Sequence, residues 1–133
     1  MLADISKADL DTLYAHATQL FEAGEFAAAR NIYLILARVD HWNFEYWFAL
    51  GLSFQRLAAH EDAVFCFGRA GMIRIDDPRA SFFAGISYRA FGNDTYARKA
   101  FNAAIKWCGA QSKYLEIRQS AVEQLSNCSF EEK

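Results

Sequence analysis

Small residues return every 34 positions along this chain, and that spacing constrains its fold more than any other feature. Ala17, Gly51 and Gly85 form one series and Ala29, Ala63 and Ala97 a second. Each member of the second is followed four places later by an aromatic, at Tyr33, Phe67 and Phe101. Leu36, Ala70 and Ala104 keep the same step. A unit of this length cannot bury its apolar face alone and must stack on its neighbours. Within a unit, the small residue at Ala17, Gly51 or Gly85 lets a second helix approach, and Ala29, Ala63 or Ala97 does the same from the other side. The aromatic then fills the groove towards the next unit. Bulk at these places would wedge the helices apart, so Gly51→Leu is expected to cost on the order of 1 to 3 kcal/mol through overpacking.

The apolar spacing is helical and predicts seven helices, over 9–23, 26–39, 43–57, 61–73, 78–91, 95–107 and 112–126. Gly24 and Gly92 stand at the turns inside the first and third units, where a left-handed backbone angle is easiest for glycine. The second unit has Ala58-Ala59-His60 there and is expected to close in another way. Pro78 opens the fifth helix, where its missing N–H does no harm. The last helix, with Leu115, Ile117, Ala121, Val122 and Leu125, abandons the period and reads as a cap. In the middle unit Trp47, Leu50, Gly51, Phe54, Ala63, Phe67 and Ala70 make up most of the tetratricopeptide signature. The expected fold is all-α. Three tetratricopeptide hairpins (10–43, 44–77 and 78–111) stack as a right-handed solenoid with a capping helix at 112–127, within a single domain spanning 1–133.

Composition narrows the function classes. A chain of 133 residues buries about two-thirds of its unfolded surface, enough for one continuous core. Fourteen basic against sixteen acidic residues, with a sequence pI near 5.9, leave no cationic field for nucleic acid. Apolar runs such as Tyr33 to Ala37 fall well short of the roughly 20 residues a membrane span needs, so no direct membrane insertion is expected. Met1-Leu2-Ala3-Asp4-Ile5 lacks a basic region followed by an apolar core, which makes a cytoplasmic protein the default. Cys66, Cys108 and Cys128 include no C-x-x-C pair and read as packing residues or free thiols. His16 is assigned an inward place, His41 and His60 lie at turns, and no two have metal-ligand spacing. Glu61 and Asp62 begin a helix, where the dipole favours acids, and Glu131-Glu132-Lys133 reads as a solvated end. With no phosphate loop and no activated Ser or Cys, the sequence assigns no catalytic residue, metal or cofactor, and the protein is not expected to be an enzyme.

In a stack of this kind the first helix of each pair lines the concave face through its fifth, ninth and twelfth places. Those places are Tyr14, Thr18 and Phe21, then Phe48, Leu52 and Gln55, then Phe82, Ile86 and Arg89. Most are apolar, and none is needed for the hairpin packing above, so they read as a partner-binding groove. The competing expectation is that amino-terminal residues or the carboxy-terminal helix fold into it. Such a groove suits an extended peptide with apolar anchors two or three residues apart, with Gln55 and Arg89 bonding its backbone carbonyls. It does not suit an acidic tail held by Lys and Asn, because the clamp-like places hold Tyr14, Thr18, Phe48 and Leu52. On this reading Phe48→Glu with Phe82→Glu abolishes binding and leaves stability nearly unchanged.

The stretch Asp40-His41-Trp42-Asn43-Phe44-Glu45-Tyr46-Trp47, followed by Leu50-Gly51, resembles the D-x-W-N-x-x-Y-W-x-x-L-G signature of the class II type III secretion chaperones, the LcrH/SycD group. The resemblance continues through Ala63-Val64, Phe67-Gly68, Ala70 and Ile75-Asp76-Asp77-Pro78 to Gly92 and Ala100-Phe101, covering roughly residues 10 to 108. It implies a cytoplasmic chaperone of a Gram-negative bacterium that keeps one or more hydrophobic translocator proteins soluble before export. An amino-terminal cargo segment of the P-x-L-x-x-P kind would lie in the concave groove, with Tyr14, Phe21, Phe48, Leu52, Phe82 and Ile86 forming its pockets. Members of the family usually begin with an extra segment that contributes to dimer contacts. This chain reaches its first unit by about Asp9, which leaves a homodimer as an open expectation. Ser81 stands in the third unit where Trp47 stands in the second. The alternatives are an adaptor subunit of the secretion apparatus that uses its convex face, and a chaperone with an added regulatory role.

Overall fold

The computed structural model describes residues 5–128, so the expectations for the first four residues and for the Glu131-Glu132-Lys133 tail lie outside the described residues. Among the described residues seven α-helices follow one another: α1 (Lys7–Glu22), α2 (Phe26–Val39), α3 (Phe44–Arg56), α4 (His60–Ile73), α5 (Pro78–Ala90), α6 (Asp94–Cys108) and α7 (Leu115–Ser126). A 3-10 turn at Ser112–Tyr114 leads into the last. No strand occurs among the described residues, and no helix there is long and apolar enough to cross a membrane. The fold is all-α and tetratricopeptide-like, as the period predicts.

Local chemistry sets the helix ends. Ser6 caps α1 by accepting the Asp9 N–H at 3.1 Å, and Asn43, Asp77 and Asn93 cap α3, α5 and α6 in the same manner. Each such cap satisfies a backbone donor that the helix itself cannot. Pro78 occupies the first turn of α5.

The turns inside the hairpins correct one expectation. Gly24 and Gly92 adopt φ of +84° and +89°, and Ala58 takes the same left-handed region at φ +62°. The hydrogen bonds repeat as well: Glu25, Ala59 and Asn93 donate their N–H groups to Leu20, Phe54 and Tyr88 at 2.8 to 2.9 Å. The second unit therefore closes as its neighbours do, and its packing holds an alanine in a conformation that costs an L-residue roughly 1 to 2 kcal/mol.

Each helix packs chiefly on the helices before and after it in sequence, and α7 closes the far end against α6 and α5. The periodic small residues are where this packing is tightest. A Cβ added at Gly51 would lie 2.6 Å from Cε1 of Phe67, and one at Gly85 would lie 2.6 Å from Cε1 of Phe101. The same Phe67 ring reaches forward to Phe83 of the next unit, with centroids 6.3 Å apart. One aromatic thus seals its own hairpin and couples it to the next. Cys66, Cys108 and Cys128 are all buried and unpaired, and burial pushes the Cys66 thiol up to about 12. They pack; none is a surface nucleophile. His16, assigned to an inward place by the period, is in fact exposed.

Two glycines do not follow the packing rule. Gly68 and Gly71 lie inside α4, where a Cβ at Gly68 would meet nothing within 4 Å and one at Gly71 would touch only Ala80 Cβ at 4.0 Å. Each costs the helix about 1 kcal/mol relative to alanine, with no close contact inside the protein that requires it.

Candidate functional site

A cavity of about 330 Å³ opens between α1 and α3. Tyr14, Thr18 and Phe21 enter it from α1 and Phe48 and Leu52 from α3, so five of the nine groove residues expected from the sequence meet at one place. The geometry is aromatic and pre-organised. The Tyr14 ring lies 5.7 Å from Tyr33 and 5.6 Å from Tyr46. Thr18 Oγ1 and the Tyr33 hydroxyl share a hydrogen bond of 3.0 Å. Phe21 meets Phe26 edge to face at 5.0 Å, and the Arg56 guanidinium lies over it at 5.2 Å. Burial raises the pKa of the Tyr14, Tyr33 and Tyr46 hydroxyls above the ordinary value, with the Glu45 carboxylate adding to the effect at Tyr14. Their phenols stay neutral at physiological pH. The lining is mainly aromatic and aliphatic, and its hydroxyl groups are joined by the charged side chains of Glu22, Glu45 and Arg79.

Five further lining residues, Glu22, Tyr33, Glu45, Ala49 and Arg79, are absent from the sequence-based groove. Glu45 and Arg79 stand one place after the start of their units and are themselves 34 residues apart, a signal that the choice of fifth, ninth and twelfth places passes over. Arg79 organises this end of the site. Its guanidinium donates to both carboxylate oxygens of Asp77 at 2.9 and 3.1 Å and to Glu45 at 3.0 Å, and it lies over the Phe44 and Phe48 rings at 4.8 and 5.0 Å. Hydrogen bonding to Asp77, helped by Glu45, raises the Arg79 pKa further, so its charge is permanent. For Asp77, burial alone would raise the carboxyl. The hydrogen bonds from Arg79 and the charges of Arg79 and Arg74 outweigh that and hold it below the ordinary carboxylate range.

A pH dependence follows from that direction. A group whose pKa is depressed on folding contributes stability above its unfolded value, near 4, and loses it as pH falls through the lower folded value. The wild-type protein is therefore expected to be more stable than Asp77→Asn at neutral pH, with the gap closing below about pH 4. Urea melts of both proteins from pH 7 down to pH 3 would check this.

The remaining expected groove residues are placed differently. Phe48 and Phe82 are only 7% and 9% exposed and belong to the core. Phe48 lies 5.6, 5.9 and 5.7 Å from the rings of Phe44, Phe67 and Phe83, and Phe82 lies 5.0 and 5.9 Å from Phe83 and Phe101. The expectation that neither supports the stack is corrected: Phe48 shows an edge to the cavity while its body couples the second unit to the third, and Phe82 fills the core of the third unit under the capping helix. Gln55 donates both amide protons inward, to the Phe83 carbonyl at 2.9 Å and to Ser87 Oγ at 2.8 Å, which leaves none for a peptide carbonyl. Arg89 donates to Gln124 Oε1 of α7 at 2.8 Å, and Ile86 packs on the core cluster that includes α7. At this end the capping helix does cover part of the groove.

Residues 10–43 match the tetratricopeptide repeat family model. Among curated proteins, the low calcium response locus protein H of Yersinia pestis and that of Yersinia pseudotuberculosis are each 26% identical over 84 residues, 63% of this chain. The chain spans about half the length of these relatives, the match covering 50% of each. Among solved structures, PcrH in complex with the chaperone binding region of PopD superposes with a TM-score of 0.91 at 26% identity, covering 93% of both chains. In sequence and fold the chain is similar to the chaperones of type III secretion. PcrH from Pseudomonas aeruginosa gives a TM-score of 0.87 at 26% identity over 92% of both chains. The translocator chaperone SycD of Yersinia enterocolitica shares the fold, with a TM-score of 0.90 at 21% identity over 96% of this chain and 88% of its own. Each of these chaperones is thus similar to the present chain across nearly all of its helices.

Proposed function

We propose that this protein is a cytoplasmic chaperone that holds an extended, apolar-anchored segment of a hydrophobic translocator in its concave groove and keeps that protein soluble before export. The observation that carries the reading is the cavity of about 330 Å³ in which Tyr14, Thr18, Phe21, Phe48 and Leu52 converge. Its size and lining suit one bulky apolar side chain of an extended peptide. The solved complexes of PcrH with the chaperone binding regions of PopD and PopB, and of SycD with a peptide of YopD, support the same class of ligand. The mechanism needs no catalysis. A cargo segment bound in the groove is withdrawn from aggregation by mass action, in proportion to chaperone concentration over Kd. Thr18 and the Tyr33 hydroxyl can meet polar backbone groups of the peptide, a role first assigned to Gln55 and Arg89. A homodimer is compatible with this reading and is not required by it.

The test is co-expression with hydrophobic translocators of a type III system, followed by capture and mass spectrometry of the soluble fraction. The groove variant should be Leu52→Gln with Phe21→Gln, because both side chains line the cavity and are only half-buried. The parent should retain a stoichiometric translocator. The variant should keep its helicity and bind at least about tenfold more weakly, the equivalent of 1.4 kcal/mol. Equal capture by both proteins would remove the groove from the mechanism. Recovery of a folded apparatus component, with translocators left insoluble, would favour the adaptor.

A further inference from the structure

A second cleft, of about 290 Å³, lies between α4 and α6 with α5 as its floor, and it shares no lining residue with the groove cavity. Its origin is a single departure from the period. In the second unit Trp47 packs against the first and second core clusters, meets Phe65 edge to face at 6.2 Å, and donates its indole N–H to the His41 carbonyl at 3.0 Å. In the third unit the same place is Ser81, which lines the cleft with Ala84 and Ala100. The space an indole fills between α2 and α4 is left open between α4 and α6.

The rim of this cleft is what a docking surface requires. Met72 and Ile75 line it and are 73% and 66% exposed. Their counterparts 34 residues earlier and later are Arg38 and Lys106, and His41 and Gly109, so only the second unit turns large apolar side chains outward here. Gly68 and Gly71 form part of the wall, and they are the two helical glycines with no close contact inside the protein to demand them. An outer wall without Cβ atoms allows another backbone to come close.

Charge selects the occupant. Acidic residues on α4 and α6 are confined to the first turns, at Glu61, Asp62 and Asp94. Beyond those turns neither helix carries an acid, and α6 carries the exposed Lys99 and Lys106, in a chain whose net charge is −2; Arg69 of α4 is engaged elsewhere, over the Trp47 ring at 5.1 Å. Lys106 Nζ sits over Trp107, itself a lining residue, at 5.3 Å. We infer that this cleft docks a segment of a second partner protein that inserts one bulky apolar side chain flanked by Asp and Glu. The site is independent of the concave groove. A chaperone with its groove filled could therefore be recognised from the other side.

The methionine methyl signals provide the readout, since the chain has two methionines, Met1 and Met72, and Met72 lines the cleft. Methyl-labelled full-length protein would be titrated with a synthetic amphipathic peptide of Glu, Ala and one Trp, and with its Lys-for-Glu counterpart. The Met72 signal should shift saturably with the acidic peptide and about tenfold more weakly with the basic one. Ile75→Glu should weaken the response about tenfold, and Ser81→Trp, which restores the arrangement of the second unit, should abolish it. Ile75→Glu changes an exposed residue and carries the test if Ser81→Trp folds poorly. Leu52→Gln in the groove should leave the response intact. No shift up to about millimolar peptide, or equal shifts with both peptides, would overturn the proposal. A shift with anionic phosphatidylglycerol vesicles alone would assign the surface to a membrane instead, and a shift on concentrating the protein alone would assign it to a second copy of the chain.

Discussion

Phe48→Glu combined with Phe82→Glu is expected to abolish the cooperative thermal transition, leaving a chain that is unfolded or aggregated at neutral pH. Truncating a buried Phe costs about 3 to 5 kcal/mol, and a carboxylate placed there adds the penalty of an unpaired charge, typically relieved only by protonation or unfolding. Both rings are nearly inaccessible, and both touch Phe83, so the two losses fall on one connected cluster. Their effects will not add simply. Either alone is still comparable to the whole stability of a domain this size, about 5 to 15 kcal/mol. Circular dichroism melts and urea titrations would decide the matter, and a variant melting within a few degrees of the parent would return both residues to the groove surface. Loss of cargo by such a variant would carry no information about binding. That is why the groove is better probed at Leu52 and Phe21.

Gly51→Leu is the second change expected to have a large effect, about 3 kcal/mol or more, at the upper end of what overpacking costs. The first added carbon already lies 2.6 Å from the Phe67 ring, and three further carbons must find space after it. The ring has little room to move. Phe67 is 1% exposed, with Phe48 and Phe83 beside it at 5.9 and 6.3 Å. Gly51→Ala should separate two opposing terms, since it gains about 1 kcal/mol of helix propensity while forcing the ring away. A double-mutant cycle with Phe67→Leu would isolate the clash: the smaller side chain should restore much of what Gly51→Ala loses, giving a coupling of about 0.5 to 3 kcal/mol. Additive effects would show that the close approach is not what makes glycine necessary. The first unit offers a natural comparison, because Ala17 and Tyr33 hold the corresponding places in one core cluster and the Tyr33 hydroxyl is bonded to Thr18.

Helices, their order and their stacking were legible in the chain because they depend on spacing alone. A small residue every 34 positions, with an aromatic at a fixed distance, allows few folds other than stacked hairpins, and the helix ends fall within two residues of where the capping and turn chemistry places them, apart from the 3-10 turn that precedes α7. Ala58 shows the strength of that constraint. Its neighbours in the stack impose a left-handed turn on a residue that does not prefer one. The family resemblance was also legible, since Asp40 to Trp47 spans a junction whose residues are tied to specific contacts, such as the Trp47 indole bonded to the His41 carbonyl.

Only the tertiary structure decided which side of the boundary between groove and core each fifth-place aromatic occupies. Spacing assigns a residue to a helical face, but exposure depends on how closely the next pair of helices comes. Phe83, one place beyond Phe82, closes over Phe48 and leaves it only an edge in the cavity, whereas Tyr14 at the start of the stack stays half-buried there. The partners of polar side chains were beyond the sequence for the same reason. Gln55 finds Ser87 and Arg89 finds Gln124 across 32 and 35 residues, distances at which nothing local sets the pairing. The period of the chain determined which helices touch; the packing distance between them, set by a few rings and the glycines opposite, decided what remains available to a partner.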